Sequence, residues 1–190
     1  MLVPWACAPA GRLSSPWPGP GAVESGLEVK AEERFYSVSG TSASALNLSL
    51  SLRGPRHGGR AAHAITVWRL DWSYVPTRRS STCASGRPRV VVDVVTTLPR
   101  WEDLEVASEG LAKDWAIFQE RLRRHESGHR EIAVRTGREL LSTLGDLRAQ
   151  DCDRLAQEAR RLAQQLASGH QDLQRRFDQA TDYGRLLPPR

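Results

Sequence analysis

The first regular pattern along the chain is Phe35, Tyr36 and Val38, which read as a short strand ending at Gly40. The next stretch supports two readings. Leu46, Leu48, Leu50 and Leu52 alternate like one face of a half-buried strand, while Ser42 followed by Ala and Leu and stopped by Gly54-Pro55 suits a capped helix. Periodicity favours the strand. Residues 64–74 are rich in β-branched and aromatic side chains and are closed by Pro76, which predicts a strand. A loop carrying Cys83 leads to residues 89–98, whose run of valines predicts a second strand ended by Pro99. These two strands are expected to be antiparallel neighbours.

Past Trp101 the period changes from two to between three and four. Leu111, Trp115, Phe118, Leu122, His125, His129, Ile132, Thr136 and Leu140 fall on one face of a long helix. The pattern pauses near Gly145. It restarts with Leu155, Ala159, Leu162, Leu166, Leu173 and Phe177 on the inward face of a second long helix, and Cys152 extends that stripe by one turn. The fold class is therefore α+β: a small antiparallel N-terminal β-sheet packed on a C-terminal hairpin of two long helices. Residues 34–184 form a single domain. The proline- and glycine-rich residues 1–33 read as a disordered tail, and residues 185–190 as a frayed end.

Charge and composition narrow the partners. A net charge of +5 and a pI near 9.6 invite a nucleic-acid reading. Only Lys30 and Lys113 are lysines, however, and the arginines lie among Glu and Asp. Arg121, Arg123, Arg124, Arg130, Arg135 and Arg138 spread right round their helix, so they make a solvated surface and no phosphate-binding stripe. No nucleic-acid partner is expected. No apolar run approaches the ~18 residues of a membrane span. Cys7, Cys83 and Cys152 lack the spacing of a structural zinc site, leaving either a disulfide with one spare thiol or buried free thiols. Ala6-Cys7-Ala8 and Ala8-Pro9-Ala10 look like the small-x-small end of a secretion signal, though no charged start or long apolar segment precedes them.

The sharpest chemical signal is His125-Glu126-Ser127-Gly128-His129, an HExxH sequence in mid-helix. Helical positions i and i+4 project from one side about 5–6 Å apart, so two imidazoles can grip one zinc ion. Glu126 then stands beside the open coordination position as general base. With 5 His and 12 Glu in the chain, the motif arises by accident in roughly 1% of such sequences. The competing reading is a pair of hydrogen-bonded core histidines. The HExxH extension with a further His is excluded, because Arg135 stands where it is needed. A carboxylate from the following helix, Asp151, Asp153 or Glu158, is a candidate third ligand. His57 and His63 are assigned to the surface, and the direction of His170 is open.

These residues resemble a bacterial family of predicted secreted zinc-dependent proteases, domain of unknown function 922, over about residues 34 to 184. The resemblance rests on Tyr36-x-Val38-x-Gly40, Gly54-Pro55, Thr66-x-Trp68 to Trp72-x-Tyr74, Cys83, and Leu98-Pro99-Arg100-Trp101. Trp115-x-x-Phe118, the HExxH sequence, Cys152 and Phe177-Asp178-x-x-Thr181-x-Tyr183-Gly184 complete it. It implies a disulfide between Cys83 and Cys152, a helix over Ser42 to Arg53, a zinc cofactor, a secreted or periplasmic location, and a peptide or protein substrate. The family carries a histidine before its closing glycine as a third ligand, where this chain has Tyr183. A phenol with a pKa near 10 is a poorer zinc ligand at neutral pH, and Asp182 or Asp178 are the substitutes. The expected function is that of a zinc metallopeptidase, with Tyr183 or Tyr74 as candidate oxyanion donors. The alternative is a degenerate, noncatalytic secreted or envelope binding module that retains the fold.

Overall fold

A computed structural model describes residues 26–57 and 59–181. Its elements run in the order β1 (Gly26–Val38), α1 (Ala43–Arg53), β2 (Arg56–His57), β3 (Arg60–Ala61), β4 (Ile65–Arg79), β5 (Thr82–Trp101), α2 (Glu109–Asp146), β6 (Arg148–Ala149) and α3 (Cys152–Ala180). The described residues form an α+β architecture, with a mixed N-terminal sheet and three α-helices. The main sheet is ordered β1-β5-β4, with β6 paired to the start of β5. Among the described residues, no helix is long and apolar enough to cross a membrane.

The sheet corrects two expectations. β4 and β5 form the expected antiparallel hairpin, but β1 pairs with β5 in parallel, from Gly26 opposite Arg89 to Val38 opposite Trp101. β1 also starts at Gly26, so residues 26–33 belong to the sheet and not to a tail. The chain directly before Phe35 looks polar because β1 is an edge strand whose middle is exposed. Its order comes from the parallel ladder, which local patterning cannot reveal.

Both long strands outrun the prolines expected to end them. β4 continues past Pro76, because an edge strand can turn the nitrogen that lacks a proton away from the ladder. Pro88 lies in β5 beyond the first β1 pair, where β4 is irregular between Ser73 and Val75. Pro99 lies past the last β4 pair, Ile65 with Thr97. Neither proline removes a two-sided ladder position. Cys83 consequently stands within β5 and not in a loop.

The stretch after Gly40 is the helix α1, capped by the Ser42 side chain, which accepts from the Ala45 nitrogen. Leu46 and Leu50, four apart, are fully buried, whereas Leu48 and Leu52 are exposed. The apparent alternation of leucines is two interleaved i,i+4 pairs, of which one faces the core.

Two apolar clusters sit beneath α2. One joins Val38, Leu46, Leu50, Leu98 and Trp101 to Leu111, Trp115, Phe118 and Leu122 of α2. The other joins Val90, Val92 and Val94 to Ala133, Leu140 and Leu144 of α2 and Ala159 of α3. The helix residue between these sets that is buried is Glu126. Opposite it, Thr66 of β4 and Thr96 of β5 are register partners whose hydroxyls lie 3.1 Å apart. A short polar layer thus divides the core under the middle of α2.

Cys83 and Cys152 form a disulfide, the pairing that the resemblance implies. It fastens the first residue of α3 to the start of β5, alongside the two β5–β6 pairs.

Candidate metal centre

The two motif histidines project from α2 at positions four apart, but not onto the sheet. The face against the sheet at that level belongs to Glu126, and the histidines turn one step round the helix toward α3. The single inward stripe expected for α2 therefore divides: Leu111 to Leu122 pack on the sheet, while His125 and His129 pack on the second helix. Their side chains stay only 10% and 14% exposed.

The C-terminal turns of α3 supply the third group. Asp178 Oδ1 lies 3.0 Å from His129 Nε2 and 3.5 Å from His125 Nε2, and the two Nε2 atoms are 3.1 Å apart. Among the described residues, these three are the His, Cys, Asp or Glu side chains grouped closely enough to share an ion. A tetrahedral zinc with bonds of 2.0–2.2 Å has ligand atoms about 3.3 Å apart, so the spacing and the two-nitrogen, one-carboxylate donor set both fit that metal.

The remaining ring nitrogens are accounted for. Thr181 donates its hydroxyl to the Phe177 carbonyl at 2.7 Å, so at 3.1 Å its oxygen is available to accept the His125 Nδ1 proton. His129 Nδ1 meets Gln174 Oε1. Both rings are thus held with Nδ1 turned to an acceptor and Nε2 turned to the shared point, the orientation expected of imidazole ligands.

Electrostatics follow from this packing. Burial opposes charge on His129, but its bonds to Asp178 and Gln174 and the pull of Asp178 and Glu126 outweigh it, and its pKa is raised. Burial likewise opposes charge on Asp178. Its bonds to His125 and His129 prevail, holding its carboxyl well below the usual carboxylate range. Glu126 is 5% exposed, and burial raises its pKa, against the Thr66 hydroxyl that donates to Oε2 at 2.6 Å and against the nearby histidines.

Phe177 closes the arrangement. Its ring stacks on His125 at 5.2 Å between centroids and meets His129 edge-on at 5.0 Å. Gly128 makes room for it, since a Cβ there would stand 2.2 Å from Phe177 Cζ. The glycine inside HExxH is what lets α3 approach α2.

Of the candidate third ligands, Asp178 is the one brought to the histidines, while Tyr183 and Asp182 lie outside the described residues. Asp151 caps α3 at its far end, where Asp153 also lies, and Glu158 pairs with Arg161. Glu158 is some 30 Å from Asp178 along a helix rising 1.5 Å per residue, so this trio is excluded by distance. Tyr74 stacks on Trp72 eight residues along β4 from Thr66, about 26 Å away, which removes it as an oxyanion donor. His63, expected at the surface, is half-buried edge-on to Phe118, with its pKa lowered by burial. His57 is exposed on β2.

Sequence reading missed the roles of His170, Gln174 and Thr66. The first two form an i, i+4, i+8 row with Asp178 on α3, a spacing that places them on one helix face. That row was the available signal.

No curated protein and no solved structure matches this chain. A family model described as "Bacterial protein of unknown function (DUF922)" matches residues 33–184 and so spans every element from the second half of β1 to the end of α3. The chain belongs to that bacterial family.

Proposed function

We propose that the protein is a zinc-dependent hydrolase, a metallopeptidase, in which His125, His129 and Asp178 hold the metal and Glu126 is the general base. The observation that carries this reading is the convergence of two Nε2 atoms and one carboxylate oxygen, each 3.0–3.5 Å from the others, beside a buried glutamate. Zinc bound there would act as a Lewis acid that polarises a scissile carbonyl and lowers the pKa of a water. Glu126 takes the water proton at Oε1 while Thr66 holds Oε2, and then delivers it to the leaving nitrogen. Its raised pKa favours the first step, because a more basic carboxylate is the better acceptor of the water proton. The Cys83–Cys152 disulfide supports a secreted or periplasmic site of action.

A second reading rests on the same packing. Phe177 covers both imidazoles, and Asp178 is only 24% exposed, which suits a noncatalytic module whose His/Asp cluster fastens α3 to α2.

Metal analysis after mild chelation and zinc readdition tests the site. We expect about one zinc per wild-type chain, lost in His129→Ala and Asp178→Ala. Glu126→Gln should keep the zinc and lose ~10²–10⁴-fold in any peptide hydrolysis found by a substrate screen. Wild type that takes up no zinc sinks the reading. Zinc without hydrolysis by wild type leaves the noncatalytic module.

A further inference from the structure

Beyond the three ligand groups, a second line of polar side chains runs through the α2–α3 interface, and each has one consistent donor assignment. Thr136 donates its hydroxyl to the Ile132 carbonyl at 3.0 Å, so its oxygen accepts from His170 Nδ1 at 3.0 Å. With that proton on Nδ1, His170 Nε2 is an acceptor, and it lies 2.8 Å from Gln174 Nε2. The same amide nitrogen donates to the His129 carbonyl at 3.2 Å. Both contacts demand the nitrogen end of the amide, which leaves Oε1 facing His129 Nδ1. His170 is 1% exposed and has the Trp68 ring against it at 3.7 Å between centroids, so it has little freedom to turn.

We infer that Gln174 and His170 are positioning residues of the metal centre: Gln174 fixes His129 as the tautomer that presents Nε2 to the ion, and His170, together with the His129 carbonyl, fixes which end of the Gln174 amide does so. This role rests on the zinc-site reading above. The physical need is specific. An imidazole free to carry its proton on Nε2 offers the metal no lone pair, and a flipped amide would set N–H against N–H at His129. A carboxylate in place of the amide has oxygen at both ends, so it needs no second residue to choose between them.

Zinc affinity of the full chain, measured by chelator competition, is the test, with long-range ¹H–¹⁵N spectra reporting the histidine tautomers. Gln174→Leu should bind zinc ~10–100-fold more weakly and should shift His129 away from the Nδ1–H form. Gln174→Glu should recover most of the affinity. His170→Leu should weaken zinc binding in the wild-type background and have little effect in the Gln174→Glu background, a dependence that mere packing loss would not produce. Wild type that binds zinc, with Gln174→Leu binding it equally well and His129 still in the Nδ1–H form, overturns the positioning role alone. An equal His170→Leu penalty in both backgrounds overturns the part assigned to His170. Wild type that binds no zinc overturns the metal site and this role with it.

Discussion

Replacing Gly128 by alanine tests whether the close approach of the two helices builds the site. In an ordinary helix interior the change stabilises by ~1 kcal/mol, because alanine has less backbone freedom to lose. Here the new Cβ would lie 2.2, 2.7 and 2.9 Å from three atoms of the Phe177 ring. Carbon atoms pack at about 3.5–4.0 Å, so the ring must retreat by on the order of 1.5 Å. The ring is rigid and already lies against His125 and His129, so the displacement passes to α3 or to both histidines. Overpacking of this kind costs ~1–3 kcal/mol, which leaves a net loss of ~0–2 kcal/mol. Gly169, in α3, provides the control, because nothing stands within 4 Å of a Cβ there. Gly169→Ala should be stabilising, with Gly128→Ala below it by ~1–3 kcal/mol. Urea unfolding at unchanged m value measures both. In a Phe177→Leu background, Gly128→Ala should lose most of its penalty. Equal or greater stability of Gly128→Ala relative to Gly169→Ala would refute the reasoning.

Two further outcomes follow from buried chemistry. Burial, helped by the charges of His129 and Arg135, pushes the His170 pKa down from 6.5 to about 4. The unfolded chain therefore takes up this proton first, so the stability from neutral His170 is complete above pH 6.5 and is lost as pH falls toward 4. The loss amounts to ~3 kcal/mol. His170→Leu should flatten that acid slope in urea titrations run at several pH values, and an unchanged slope would assign the effect to other groups. The Cys83–Cys152 bond closes a separation of 69 residues, for which chain entropy gives ~4 kcal/mol. Thermal melts with and without reductant should differ accordingly, with Cys7→Ser as a variant that leaves the difference intact.

The parts of this molecule legible in the sequence were those whose partners are close along the chain. His125 and His129 are one helical turn apart, so their convergence follows from helix geometry alone. The β4–β5 hairpin and both long helices were visible for the same reason. β1 was not, because its ladder partner lies more than sixty residues away and its exposed middle carries Lys30, Glu32, Glu33 and Arg34. The leucines of α1 misled because alternation and paired i,i+4 spacing coincide over seven residues, and only burial tells them apart. On α2 the error was one of phase: the helix buries its sheet face on Glu126 and its α3 face on the histidines, so one averaged stripe merged two. Asp178 was named among the substitutes for Tyr183, but only its place on the final turn of α3 brings it to the histidines.

The way α3 is fastened bears on why these features occur together. Along its 29 residues the fully buried positions are Leu155, Ala159 and His170, few for a helix that must hold Asp178 in place. Its amphipathic face contributes half-buried residues such as Leu162, Leu166 and Leu173, and these alone would let it slide or fray. The strong attachments sit near its ends: the disulfide at Cys152, and the cluster of Gln174, Phe177, Asp178 and Thr181 against α2. Asp178 is 26 residues from Cys152, about 39 Å along the axis, so the covalent bond cannot by itself set its position. The far end must be fixed locally, by the ring that fills the space at Gly128 and by the hydrogen bonds to the two histidines. An ion shared between α2 and α3 would add its binding free energy to that same joint. A helix with few fully buried apolar positions is thus one that the metal centre itself would stabilise, which would couple the folding of α3 to the assembly of the site.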